Sequence, residues 1–123
     1  MSKRILVLDD DPDILEVCTI ALEDAGFEVV GQTNCNNILY KLNIYNPDVI
    51  LIDNKIPDTG GIKASIEIKS SLQHQHIPVI FFSASSNVSN LAAEALSDYF
   101  IEKPFDLEVL VKMVKKACKE DVI

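Results

Sequence analysis

The chain has 123 residues, of which 48% are apolar and 24% charged, with a formal net charge of −8. That composition describes one globular domain spanning residues 1–123, and its acidity argues against nucleic acid or an anionic membrane as a direct ligand. No apolar run approaches the roughly 20 residues a membrane span needs, and four glycines leave no room for GxGxxG or a phosphate-binding P-loop.

Ile5 to Leu8 is a short, wholly apolar run that suits a strand buried on both faces. Asp11-Pro12 then offers an N-cap and first-turn pair for a helix whose stripe is Ile14, Cys18, Ala21, Leu22 and Ala25, stopped by Gly26. Glu28 to Thr33 mixes polar and apolar residues, as an edge strand does. A second helix carries Ile38, Leu39, Leu42 and Tyr45 and closes before Pro47. Val49 to Ile52 is another continuous apolar run.

Ile62, Ala64, Ile66 and Ile68 alternate with period two, which on pattern alone favours a strand. A helix is nevertheless expected there, because the parallel strands on either side require a crossover. Val79 to Phe82 supplies the fourth strand. Val88, Leu91, Ala92, Ala95 and Leu96 mark the fourth helix, Tyr99 to Glu102 a mixed edge strand, and Leu107, Leu110, Val111, Val114, Ala117 and Cys118 the last helix, capped by Asp106. The expected fold is α/β, a doubly wound (βα)5 unit whose parallel sheet runs in the order 2-1-3-4-5. The three apolar strands then lie inside, and the ligand site lies beyond their carboxyl ends, where the winding reverses.

Polar residues wait at those ends. The first strand runs into Asp9, Asp10 and Asp11, the third into Asp53, the fourth into Ser83, and the fifth into Lys103-Pro104. Neighbouring strands are ~4.8 Å apart, so the acids of strands one and three are adjacent and the long Lys103 side chain can largely close the gap to Asp53. Carboxylates gathered without compensation repel one another and take up protons. A hard divalent cation resolves that conflict, and Mg²⁺, which uses one or two carboxylates and keeps several waters, suits the set. A carboxylate beside Mg²⁺, faced by a lysine and a hydroxyl, is equipped to become an aspartyl phosphate.

With Asp9-Asp10, Asp53 followed by Pro57 and Gly61, Ser83-Ala84, and Lys103-Pro104-Phe105 in this order, the chain resembles the receiver domain of two-component response regulators along its whole length. The resemblance implies a flavodoxin-like fold with Asp53 as phosphoacceptor. It implies Mg²⁺ held directly by Asp10, through water by Asp9, by Asp53, and by the backbone carbonyl of Lys55. Lys103 would pair with the phosphoryl group, Ser83 would hydrogen-bond to it, and Ser83 and Phe100 would form the switch pair. Output would pass through the face made by helix 4, strand 5 and helix 5. The Lys103-Pro104 peptide would be cis. Phe100 stands where a tyrosine is commoner, Gly60 where an aspartate is frequent, and Leu96-Ser97 in place of a common Gly-Ala.

The implied partners are a sensor histidine kinase or histidine phosphotransfer protein and a downstream protein target, with the chain a monomer or a weak phosphorylation-dependent dimer. The chain ends with the last helix, so a stand-alone receiver of the chemotaxis or phosphorelay-intermediate type is expected, doing no chemistry beyond its own phosphorylation and dephosphorylation. Lys55, leaning over the phosphoryl group, is expected to obstruct the hydrolytic water and lengthen the lifetime. Two other classes compete: a haloacid-dehalogenase-like phosphatase using Asp9, and an interaction module independent of phosphorylation. Cys18, Cys35 and Cys118 lack any CxxC spacing and read as reduced, mostly buried thiols of a cytoplasmic protein. His74 and His76 read as a solvated loop, and Asp13, Asp58 and Asp98 as ordinary surface charge.

Overall fold

The computed structural model describes residues 2–56, 60–84 and 87–118. Pro57 and Asp58, singled out above, lie outside them. Five parallel strands, β1 (Arg4–Leu8), β2 (Glu28–Gln32), β3 (Val49–Asp53), β4 (Val79–Ser83) and β5 (Tyr99–Glu102), form one sheet in the order β2-β1-β3-β4-β5. They alternate with helices α1 (Pro12–Asp24), α2 (Ile38–Tyr45), α3 (Gly61–Lys69), α4 (Val88–Glu94) and α5 (Leu107–Cys118).

Side-chain alternation divides the sheet into two faces. Ile5, Val7, Val49, Leu51, Ile80, Phe82 and Ile101 point to α1 and α5, where they meet Cys18, Leu22, Leu110 and Val114. Leu6, Leu8, Ile50, Ile52 and Val79 point the other way, to Ile38 and Leu42 of α2 and to Ala64 and Ile68 of α3. Phe81 shares that second face and packs against Val88 and Ala92 of α4. Each fully buried aliphatic or aromatic side chain contributes roughly 1.5–3 kcal/mol, so the continuous apolar strands are the main source of cohesion. The mixed strands are the edges, with Glu28, Gly31, Phe100 and Glu102 exposed.

The ambiguous third segment is a helix, as the crossover requires. It buries Gly61, Ala64, Ser65 and Ile68, leaving Ile62 half-buried and Ile66 exposed. Asp11 caps α1, accepting from the Asp13 N–H at 2.9 Å. Two stripe assignments need correction. Leu96 lies beyond α4 with φ +59° and an exposed side chain, and Leu107, placed in the last stripe, is also exposed.

The amino end of the sheet is fastened by polar contacts that pattern reading misjudged. Asp98, expected as loose surface charge, pairs with Lys69 Nζ at 2.6 Å and accepts from the Val79 N–H at 2.8 Å. Lys69 Nζ also donates to the carbonyls of Gln75 and Ile77. His74 is not solvated but buried: Nδ1 lies 2.8 Å from Ser71 Oγ and Nε2 2.9 Å from Asn43 Oδ1, tying the α3–β4 loop to α2. His76 is exposed, as expected.

Candidate functional site

The carboxyl ends of β1 and β3 bring Asp9, Asp10 and Asp53 together, with one carboxylate oxygen from each inside a 4.8 Å circle. Register explains the convergence. Ile5 pairs with Val49 and Leu8 with Ile52, so Asp9 and Asp53 leave their strands side by side and on the same face of the sheet. Asp9 and Asp53 are buried, whereas Asp10 is exposed. Asp9 Oδ1 accepts from the Asp11 N–H at 2.9 Å, and Asp53 Oδ2 accepts from the Lys55 N–H at 3.1 Å.

Lys103 reaches in from the end of β5. Its N–H donates to the Ser83 carbonyl at 2.8 Å, which anchors the backbone, and the Lys103-Pro104 peptide is cis, as the resemblance implied. Its Nζ lies 2.9 Å from Asp9 Oδ2 and 3.1 Å from Asp53 Oδ1. Burial pushes the Asp9 carboxyl above its ordinary value of 3.8, and the neighbouring Asp53 charge adds to that against the help of the Asp11 N–H and Lys103. Burial opposes the charge on Lys103, but the hydrogen bonds and charges of Asp9 and Asp53 outweigh it and raise its pKa. The Asp9 shift thus reports chiefly burial, and the Lys103 shift reports the two acids that face it.

Three clustered carboxylates with all-oxygen donors fit a hard, hydrated divalent cation such as Mg²⁺, which uses few protein ligands. Ser83 is buried at the end of β4, between Asp53 and Lys103. Lys55 has an exposed side chain, and Phe100 is 46% exposed on β5 opposite Phe81. Asp9, Asp10, Asp53 and Lys103 therefore converge as expected, while Ser83, at the end of the neighbouring strand, shares the second face with Phe100.

Gly61 opens α3 against the acceptor strand. A Cβ there would sit 2.1 Å from the Asp53 carbonyl oxygen and 3.0 Å from Ile52 Cγ2, so only glycine permits this approach. Cys18 and Cys35 are buried and unpaired, and burial pushes both thiols up to about 11, which makes them inert packing residues.

The sequence reading overlooked Phe82. Its ring lies beneath Lys103, with Nζ 4.6 Å from the centroid. In an apolar run it looks like any core residue. The signal was its register, since Phe82 pairs with Asp53 on one side and with Ile101, two residues before Lys103, on the other.

Solved structures share this architecture. A CheY-like receiver domain protein from Methanospirillum hungatei superposes with a TM-score of 0.87 at 26% identity, covering 98% of this chain and 96% of that one. The receiver domain of response regulator 1452 from Francisella gives 0.85 at 30%, covering 97% and 98%. Among curated proteins, Escherichia coli regulatory protein AtoC is 36% identical over 93% of this chain and 25% of its own length. The Pseudomonas aeruginosa phosphate regulon regulator PhoB is 32% identical over 94% and 51%. The chain thus spans about half, or less, of the curated relatives it matches. Among the described residues no helix is long and apolar enough to cross a membrane. Residues 5–115 match the response regulator receiver domain, and the phosphatase alternative is not favoured. A match that enters at the second residue of β1 and runs into the last turn of α5 covers every element of the fold; the chain belongs to the response regulator receiver domain family.

Proposed function

We propose that this receiver accepts a phosphoryl group on Asp53, within a single functional unit of residues 1–123. The observation that carries the reading is a buried carboxylate at the end of a central strand, 3.1 Å from a lysine ammonium and clustered with two further acids. The donor's phosphorus–nitrogen bond to a histidine imidazole breaks as an Asp53 oxygen–phosphorus bond forms, and the imidazole leaves with the electron pair. Asp10, Asp9, Asp53 and the Lys55 carbonyl would hold Mg²⁺, which when bound neutralises charge on the transferring group. Lys103 supplies a second cation, and Ser83 a hydroxyl for a phosphoryl oxygen.

Ser83 and Phe100 lie on the sheet face that carries α4, which supports a coupled movement altering the α4–β5–α5 surface read by a downstream protein. The phosphoryl donor would be a histidine kinase or phosphotransfer protein, met in the cytoplasm, and the Lys55 side chain would slow hydrolysis. Incubation with acetyl phosphate and Mg²⁺, followed by mass-spectrometric mapping, should place the label on Asp53 and lose it in Asp53→Asn. Full labelling of that variant would defeat the assignment.

A further inference from the structure

Among the described residues the Lys103 ammonium meets three partners, two of them acids. The third is the Phe82 ring, 4.6 Å from Nζ to centroid and wholly buried. Phe105 meets that ring edge-on, with centroids 6.1 Å apart and planes at 88°, so Phe82 is braced from the side. The negative ring face attracts a cation most strongly where water is scarce, and the Lys103 side chain is only 17% exposed. Asp9, Asp53, Phe82 and Lys103 all belong to the α1–α5 face of the sheet, so strand parity itself delivers the ring to the ammonium.

We infer that Phe82 is a positioning residue for the phosphotransfer site: its ring holds the Lys103 ammonium between Asp9 and Asp53, in place for the incoming phosphoryl group. A lysine stem is flexible, and two carboxylates that must also serve a cation and an acceptor cannot be its permanent anchors. A neutral ring has no competing chemistry. It attracts the ammonium while leaving every carboxylate oxygen available. An aliphatic residue of similar bulk would fill the same space and give no such hold.

The inference rests on the role proposed for Lys103, so its test has one arm free of phosphoryl chemistry. In the metal-free protein, the terminal side-chain protons of Lys103 should resonate upfield of ordinary lysine values, shielded by the ring, and return towards them in Phe82→Leu. Ordinary positions in the unsubstituted protein would overturn the contact outright. The second arm replaces Phe82 with mono-, tri- and pentafluorophenylalanine, which progressively removes the negative ring face while keeping the side chain apolar. Labelling of Asp53 from acetyl phosphate should fall stepwise, by about fivefold at pentafluorophenylalanine. The same series at Phe81, buried on the opposite face, should leave the rate unchanged. A flat series at Phe82, or an equal decline at Phe81, would overturn the positioning role. Absence of label on Asp53 in the unsubstituted protein would instead defeat the functional reading, with the resonance arm still deciding the contact.

Discussion

The two ends of the sheet use the same residue types to opposite purposes. At the amino end Asp98 meets Lys69 and a backbone N–H, and Lys69 meets two carbonyls as well, so each charge is answered where it stands. At the carboxyl end Asp9 and Asp53 share Lys103 as their close cation among the described residues, and Asp10 adds a third acid to the cluster. A balanced network holds the fold together. An unbalanced one attracts positive charge, and the difference separates structural ionic contacts from a reactive site.

The contrast is broken most severely at Gly61, where the carboxyl end carries a structural demand of its own. Gly61→Ala must push α3 away from the Asp53 carbonyl and should cost about 3 kcal/mol in urea unfolding, at the upper end for overpacking. An alanine variant of unchanged stability would show that α3 moves freely.

Asp98→Ala tests the balanced end. It removes the acid facing Lys69, leaves the Val79 N–H without its carboxylate and should cost about 2 kcal/mol while leaving Asp53 labelling intact. Asp10→Asn should do the reverse, keeping or raising the unfolding midpoint and abolishing labelling, because it relieves repulsion and removes a proposed metal ligand. If both variants behaved alike, the distinction between the two ends would collapse.

Proton linkage sharpens the comparison further. Burial raises the Asp9 carboxyl in the folded state above its ordinary 3.8, so between those values the native protein holds more protons than the unfolded chain. The Asp9 contribution to stability therefore falls as pH rises through that window, by at most about 1.4 kcal/mol per pH unit. Without metal, subtracting the Asp9→Asn profile from that of the unsubstituted protein should leave this downward slope. Added Mg²⁺ should flatten it, since a cation favours the ionised acid. An upward difference would mean that Lys103 dominates Asp9.

The smallest effect belongs to Leu96, whose left-handed backbone strains a residue with a Cβ and whose side chain packs little. Leu96→Gly should raise stability by about 0.5–1 kcal/mol in the same assay, with labelling unchanged. A loss would show that the exposed leucine makes a contact worth more than the strain it bears.

The reactive end was largely legible because charged residues directly following apolar runs contradict simple burial. Asp9 and Asp53 announce themselves that way, Lys103 does so by standing before a proline, and Asp11-Pro12 announces a helix start. Phe82 does not, because a phenylalanine in a hydrophobic strand satisfies the core pattern whether or not an ammonium sits on it. His74 and Asp98 were missed for a related reason: polar residues in loops look solvated until the partners from distant segments, Asn43 and Val79, are known. Leu96 and Leu107 fit a helical stripe by spacing, yet one lies past a helix end and the other faces outward.

Strand parity has a genetic consequence. Asp9, Asp53 and Lys103 meet on one face because each stands an even number of residues from an inward-facing partner in its own strand: Val7, Leu51 and Ile101. Loss or gain of a single codon within β1, β3 or β5 would turn a reacting group to the opposite face while leaving the composition almost untouched. Substitutions can change this site by degrees. A one-residue length change inside a strand can only switch it off, so lineages carrying a working copy should keep their insertions and deletions to the loops.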